Sequence, residues 1–534
     1  MSVASTQVLA LGIDAASPAL LDAWIADGSL PNLAALCARG LVGRTRGLEG
    51  FFVGATWPSM YTGRNPARHG LHYQRQLVPG SYRLKDCAQG AFVEGDPFWR
   101  ALSRAGKRVA VLDVPLSKRE PELCGAQVVE WGSHDSFFGY STLPPELAWQ
   151  IEAWAGPHRA APSCDAPRHD ARDYREFLDS LVQDVHRKAA WSAELLARGP
   201  WDLFMQVFTE SHCAGHQCWH LHDDRHPAHD PAIAAITGDP LREVYSAIDH
   251  AVGALVEAAG DARVVVFAAH GMSHHYGAHF ILPDLLFALG VAAPPRISLY
   301  ERARDLATHL MPRRMRALAV RLRTRLLSAE NAGAVAPALG VDVDRSSCFP
   351  LSNGLAVGGI RLNLAGREPR GTLTPGDEAV NFVARLEADL LAIVDEATGA
   401  PLVTRVLRTR DLYAGEHLDN LPDLLVEWNE ALIIRTPAPA ESTGAHLRAR
   451  SPKIGIVEGR SDYSRSGEHR SGGWFVAAGE GIPVGRLTRE PALLDLAPTL
   501  AAMLDVELVG ADGEAIEELV SGRARASERR VFAG

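Results

Sequence analysis

Short apolar runs of four to six residues recur along this chain, each long enough for a strand and much too short to span a bilayer. They are Val8–Ile13, Val109–Leu112, Leu203–Phe208 and Val264–Ala268, with Gly473–Ala478 as a late fifth. Helix-length segments separate them, among them Tyr174–Ala197 and Leu241–Ala259. Strands that alternate with helices pair in parallel, and unbroken apolar runs belong to strands buried on both faces. The expected fold is therefore α/β, a mostly parallel central sheet with helices on both faces and inserted subdomains. Such a sheet binds its ligands outside the carboxyl ends of its strands, so the residues that follow each run carry the weight of the reading.

At 534 residues the chain exceeds a single minimal core. Residues 1–295 read as the main α/β portion, with a Gly-, Pro- and aromatic-rich excursion at about 75–165. An Arg-rich helical insertion follows at 296–345, then a smaller α+β subdomain at 346–460. It holds candidate strands at Gly358–Leu364 and Leu424–Trp428 and an acidic helix at Asp377–Glu396. Residues 461–534 return to the main sheet and end in a helix. In the insertion, Arg302, Arg304, Arg313, Arg314, Arg316, Arg321, Arg323 and Arg325 recur at roughly helical spacing. That pattern reads as a solvated face or as a surface that attracts anions.

A net charge of −10 gives no reason to expect a nucleic-acid partner. The seven cysteines are scattered without CxxC spacing, which provides neither a disulfide framework nor a thiolate zinc cage. With no basic leader at the N-terminus and no membrane-length apolar run, the expectation is a cytoplasmic protein.

Asp14 closes the first run, where a buried carboxylate needs a compensating cation or a helix to cap. Thr56 precedes Pro58 and a short helix-like stretch to Gly63. It reads either as an N-cap or as a hydroxyl among free backbone N–H groups suited to phosphate. As a nucleophile that hydroxyl would need a metal or base to lower its pKa. His212 and His216 stand four apart just after a strand, so a helical turn places both imidazoles on one face. His469, in a polar loop before Gly473, is the candidate third nitrogen; three histidines with an open position suit a catalytic zinc rather than a structural one. His270 follows the Val264–Ala268 run and reads equally as a ligand or as a core histidine.

Taken together, these segments resemble the type I phosphodiesterase/nucleotide pyrophosphatase branch of the alkaline phosphatase superfamily. The resemblance rests on Gly12–Asp14, Leu30–Leu33, Thr56–Pro58, Thr62–Gly63, His69–Gly70, Gly215–His216, His270–Met272, Gly467–His469 and Asp495–Thr499. It implies an alkaline phosphatase-like fold and two metal ions, typically zinc, flanking a phosphate. By that resemblance Thr56 is the nucleophile and forms a phosphoryl-threonine intermediate. Asp14, Thr56 and His270 would serve the metal that activates it, and His212, His216 and His469 the other. Two positions depart from the family pattern: Ala269 and His212 stand where it carries aspartates. The site thereby loses two negative charges; the three-histidine site keeps its donors, while the second metal site is thin. Glu210 and Asp113 are candidate replacement carboxylates, and Gln74 and Arg75 candidate substitutes for an Asn that holds a phosphate oxygen. Trp57, Trp131, Trp219 and His134 are candidates to line a substrate pocket.

The expected function is a metal-dependent hydrolase of phosphodiester or nucleotide pyrophosphate bonds acting on a small-molecule phosphate ester or nucleotide. Phosphomonoester hydrolysis on the same scaffold is the nearer alternative. A metal-binding protein with weakened turnover is the one that Ala269 favours. Thr56 disfavours sulfatase chemistry, whose modified nucleophile arises from Cys or Ser, and the lack of spanning helices disfavours a membrane-bound transferase.

Overall fold

A computed structural model describes residues 6–86, 95–133, 137–158, 166, 168–295, 339–434, 446–461 and 464–520. The Arg-rich stretch from 296 to 338 and His134 lie outside the described residues. Among the described residues, no helix is long and apolar enough to cross a membrane.

The central sheet has nine strands. In spatial order they are Gly485–Arg486, Gly40–Thr45, Gly473–Ala478, Arg263–Ala268, Val8–Ile13, Leu203–Phe208, Val109–Leu112, Gly125–Val129 and Ser141–Leu143. The five from Arg263–Ala268 to Gly125–Val129 run parallel, and Val8–Ile13 lies between its neighbours with Val8 opposite Leu203 and Arg263. Gly473–Ala478 and Ser141–Leu143 run against them. Both faces are buried, and the alternation of each strand divides its side chains between two cores. Val8, Ala10, Val111, Met205 and Phe267 pack on one face, and Leu9, Leu11, Leu112, Phe204 and Val266 on the other. The second face is covered by Ala171–Leu196 and Pro240–Ala259, amphipathic helices each begun by an aspartate whose carboxylate takes a first-turn N–H.

The first face continues into the smaller subdomain. There Cys348–Leu351, Val357–Leu362, Leu424–Trp428 and Val403–Arg408 form a four-stranded antiparallel sheet whose Ile360, Leu425 and Trp428 join the main core. The acidic helix spans Asp377–Leu391 and stops short of Glu396. Val394–Asp395 is taken instead as a strand against His446–Ser451. The segment from Pro18 to Arg39 is two helices, Pro18–Ala26 and Pro31–Arg39, parted at Gly28 with φ +82°.

Five parallel strands deliver Asp14, Asp113, Glu130, Thr209 and Ala269 to one edge of the sheet. Ala15, Asp113 and Glu130 leave their strands at φ of 51°, 53° and 55°. That left-handed backbone is uncommon for residues with a Cβ and concentrates where surrounding structure imposes it. A two-stranded ribbon, Gly271–His274 paired with Gly467–Arg470, brings the C-terminal part of the chain to the same edge.

Candidate active site

The helix Glu210–His222 starts directly after the Leu203–Phe208 strand, and its i, i+4 spacing sets His212 and His216 side by side with ring centroids 4.4 Å apart. His469 lies on the ribbon strand opposite Met272, not in a loop as the polar sequence around it suggested. Helix and ribbon touch through two glycines. A Cβ on Gly467 would stand 2.1 Å from the Gly215 carbonyl oxygen, and one on Gly215 would press Met272 at 2.8 Å. Only that close approach brings His469 Nε2 within 3.3 Å of His212 Nε2 and 3.2 Å of His216 Nε2.

Partners away from the cluster fix the His216 ring and the His469 backbone. His216 Nδ1 lies 2.8 Å from the Gly467 carbonyl and donates to it, so its Nε2 presents a lone pair to the other two histidines. The Tyr276 hydroxyl donates to the His469 carbonyl at 2.9 Å, and Glu468 Oε1 accepts from the His469 amide at 3.0 Å. Three imidazole nitrogens aimed at a common point fit a cation. Tetrahedral zinc at about 2.0–2.1 Å from each nitrogen places neighbouring nitrogens about 3.3 Å apart. Among the described residues, His212, His216 and His469 are the group of three potential ligands that converges in this way.

Asp14 and His270 follow the ends of the strands Val8–Ile13 and Arg263–Ala268, and Thr56 opens a short helix. Asp14 does not cap the following helix, whose N-cap is Ser17; its Oδ1 accepts from Trp57 Nε1 at 2.8 Å and stands 4.0 Å from His270 Nδ1. His270 stacks on His469 with centroids 4.7 Å apart, which joins the Asp14 side of the site to the histidine cluster. Thr56 is the first residue of the helix Thr56–Thr62, with Ala55 as the cap. Its fully buried hydroxyl donates to the Phe52 carbonyl at 2.7 Å. Trp57 therefore ties the Thr56 helix to Asp14 rather than lining an open pocket.

Several sequence-level candidates fall elsewhere. Glu210 and Asp113 are committed to Lys188, whose Nζ lies 3.0 Å from Glu210 Oε1 and 3.4 Å from Asp113 Oδ2, all three side chains fully buried. Burial pushes the Glu210 carboxyl up, but Lys188 and His158 outweigh it and hold it at about 2. Asp113 also accepts from the Trp131 and Gly132 amides at 2.8 and 2.9 Å, and His158 stands 3.4 Å from Glu210 and 3.6 Å from Asp184. Arg75 is half exposed and faces Asp86 across a surface hairpin. Trp131 is buried against His158 and Trp191, and Trp219 against His222.

Ser59 and His69 are 2.7 Å apart without forming a nucleophile–base pair. His69 Nδ1 accepts from the Leu71 amide, so Nε2 carries the proton and donates to Ser59. Burial pushes this imidazole down to about 3 and keeps it neutral.

A cavity of about 280 Å³ includes Phe52, Tyr276, Trp428, Asn429 and Glu430 in its wall. Two of its wall residues bond to the site from outside the space: the Phe52 carbonyl to the Thr56 hydroxyl and the Tyr276 hydroxyl to the His469 carbonyl. Sequence reasoning missed Arg465, whose Nη1 lies 3.4 Å from His216 Nε2, as well as Lys188, His158 and Tyr276. None sits in a recurring pattern, and each meets its partner only through the fold.

Residues 8–347 match the family model for type I phosphodiesterase / nucleotide pyrophosphatase. His469 lies beyond the matched stretch and is supplied by the ribbon. The fold is similar to phosphonoacetate hydrolase from Sinorhizobium meliloti 1021 in complex with phosphonoacetate, at TM-score 0.50 and 16% identity over 94% of this chain and 96% of that one. Inactive murine ectonucleotide pyrophosphatase / phosphodiesterase 5 in complex with AMP aligns at TM-score 0.44 and 12% identity, over 95% and 97% of the two chains. No curated protein sequence matches this one.

Proposed function

The chain belongs to the type I phosphodiesterase/nucleotide pyrophosphatase family of phosphoric ester hydrolases, and from that premise we propose a phosphodiesterase or nucleotide pyrophosphatase acting through Thr56. The observation that carries the reading is the convergence of three Nε2 atoms, with the far nitrogen of His216 turned to the Gly467 carbonyl. His212, His216 and His469 would hold one divalent ion, zinc by its preference for nitrogen ligands. Asp14 and His270, with Thr56, would serve a second and weaker site. Bound there, such an ion supplies positive charge to the phosphoryl oxygens and lowers the pKa of an attacking hydroxyl or water.

The chain's own part is nucleophile and frame. Thr56 Oγ, whose proton points to the Phe52 carbonyl, attacks phosphorus and gives up that proton, which passes to the leaving group. The bond from phosphorus to the departing alcohol or phosphate breaks, and the leaving group takes up a proton. Water then cleaves the Thr56–phosphorus linkage and restores the hydroxyl. Trp57 keeps Asp14 and the Thr56 helix in register, since the indole N–H bonds one and the backbone carries the other.

A phosphomonoesterase is the second reading, favoured by the neutral ligand set and by Arg465 beside it. Hydrolysis of an aryl phosphodiester and the matching monoester by zinc-replete wild type and Thr56→Ala tests both. Loss of turnover by at least about 10³-fold in the variant, with zinc still bound, is expected where a nucleophile is removed. Unchanged turnover would remove Thr56 from the chemistry, and the preferred ester decides between the two readings.

A further inference from the structure

A cation at His212, His216 and His469 would have three neutral nitrogens around it, so its charge must be met from beyond them. Glu210 and Asp113 already flank Lys188, and Asp14 accepts from the Trp57 indole. A further carboxylate stands directly before a ligand in sequence. Glu468 precedes His469 on the ribbon and is fully buried.

Successive side chains of the strand Gly467–Arg470 point to opposite faces, so Glu468 stands on the reverse of the strand from His469. Two peptide groups nonetheless tie it to the cluster. The Gly467 carbonyl, part of the peptide that leads into Glu468, accepts from His216 Nδ1 at 2.8 Å. The next peptide gives its N–H, that of His469, to Glu468 Oε1 at 3.0 Å. Glu468 Oε2 lies 3.4 Å from His275 Nδ1, and the His275 amide donates in turn to the Ser466 carbonyl at 2.8 Å. Burial pushes the Glu468 carboxyl up, but His275, His216 and Arg465 outweigh it and hold it at about 2, so the group is an anion at neutral pH.

Arg465 and His275 draw on this charge as well. Coulomb energies add pair by pair, so a divalent ion at the histidines keeps its own attraction to Glu468 whatever else the carboxylate faces. The group within reach of one ion is the three histidines, which leaves Glu468 outside the ligand set. Partners of that outer kind orient ligands and tune affinity at metal sites generally.

We propose that Glu468 is the outer carboxylate of the histidine site: it strengthens binding of a divalent cation by its charge and holds the His469 backbone, without itself becoming a ligand. The inference rests on the reading that the three histidines hold the ion.

The test is zinc affinity at fixed pH, by competition with a chromophoric chelator, for wild type, Glu468→Gln, Glu468→Asp and His216→Ala. Urea unfolding of the zinc-free proteins and visible spectra with cobalt(II) in place of zinc accompany it. Glu468→Gln keeps an oxygen for the His469 amide and loses the charge, and its zinc affinity is expected to fall about 10–100-fold. Its zinc-free stability should change little by comparison, and its cobalt spectrum should match wild type because the ligands are the same. Glu468→Asp, which keeps the charge on a shorter arm, should bind zinc more tightly than Glu468→Gln. Unaltered zinc affinity in Glu468→Gln would overturn the proposal, as would an Asp variant that binds more weakly than the Gln one. A loss of zinc-free stability as large as the loss in binding would make Glu468 a prop for the ribbon, and an altered cobalt spectrum would make it a ligand; either result overturns it too. His216→Ala keeps the two readings apart. Wild-type affinity in that variant sinks the histidine site itself, while zinc lost with His216 but retained in Glu468→Gln sinks the role of Glu468 alone.

Discussion

Two buried polar clusters lie at the carboxyl ends of the same parallel strands, and they share one short stretch of chain. Glu210 belongs to the first and His212 to the second. The first carries its own cation: Lys188 sits between Glu210 and Asp113, with His158 bridging Glu210 to Asp184. The second consists of nitrogens that face one another, with an arginine at its rim. A cluster with an internal ammonium already holds a cation against its carboxylates. A cluster of converging lone pairs is incomplete without one. Burial is similar in both, so donor chemistry rather than depth separates scaffold from binding site.

The contrast breaks most sharply on a ligand. His216→Ala removes one of three nitrogens, and affinity for zinc should fall by more than the ~10–100-fold that losing an outer hydrogen-bond partner costs. Equilibrium dialysis against zinc measures this, and wild-type affinity in the variant would sink the ligand assignment. Stability of the zinc-free protein should fall by about 1–3 kcal/mol, the cost of leaving the buried Gly467 carbonyl without its donor, and less than a stranded charge costs.

Lys188→Met should do the reverse. Removing the ammonium leaves Glu210 and Asp113 buried beside each other without their cation, a defect of about 3–5 kcal/mol. Urea unfolding of the zinc-free protein would show it, and Glu210→Gln added to Lys188→Met should restore part by removing the orphaned charge. A variant as stable as the wild type would mean that the carboxylates are protonated or solvated, and the contrast between the clusters would fail.

The sequence disclosed these regions unequally, for physical reasons. Strands such as Val8–Ile13 and Leu203–Phe208 are legible because burial on both faces demands unbroken apolar runs. Gly40–Thr45, Gly125–Val129 and Ser141–Leu143 lie toward the sheet's margins, hold glycine, threonine or glutamine, and leave no such run. His212 and His216 are legible because helix geometry alone makes them neighbours. Lys188 is not: amid the charged residues of Ala171–Leu196 it reads as a solvated surface lysine, and its partners lie 22 and 75 positions away in sequence. A separation of 249 positions hides Arg465 from His216. Ala269 and His212 were legible as departures, but only the fold shows that Glu210 and Asp113 do not compensate for them.

His69 sharpens the comparison at the smallest scale. Each of its ring nitrogens has a protein partner, Leu71 N–H on Nδ1 and Ser59 on Nε2, so it behaves as a core group although it stands near the Thr56 helix. Its folded pKa is about 3, lowered chiefly by burial, against an ordinary value near 6.5. Between those values the unfolded chain binds the proton and the folded protein does not, so the stability due to neutral His69 is present above about pH 6.5 and drains away as pH falls. One pKa unit corresponds to about 1.4 kcal/mol, so acidification from pH 7.5 to 5 should cost wild type about 2 kcal/mol more than His69→Gln. Urea midpoints at the two pH values measure the difference. Because no ion is involved, it should persist in the presence of a chelator. Acid-sensitive stabilisation gained on adding zinc, if His212, His216 and His469 hold it, should vanish under that treatment. Equal pH slopes in wild type and His69→Gln would show that His69 takes up its proton in the folded state after all, and the distinction between partnered and converging histidines would lose its clearest case.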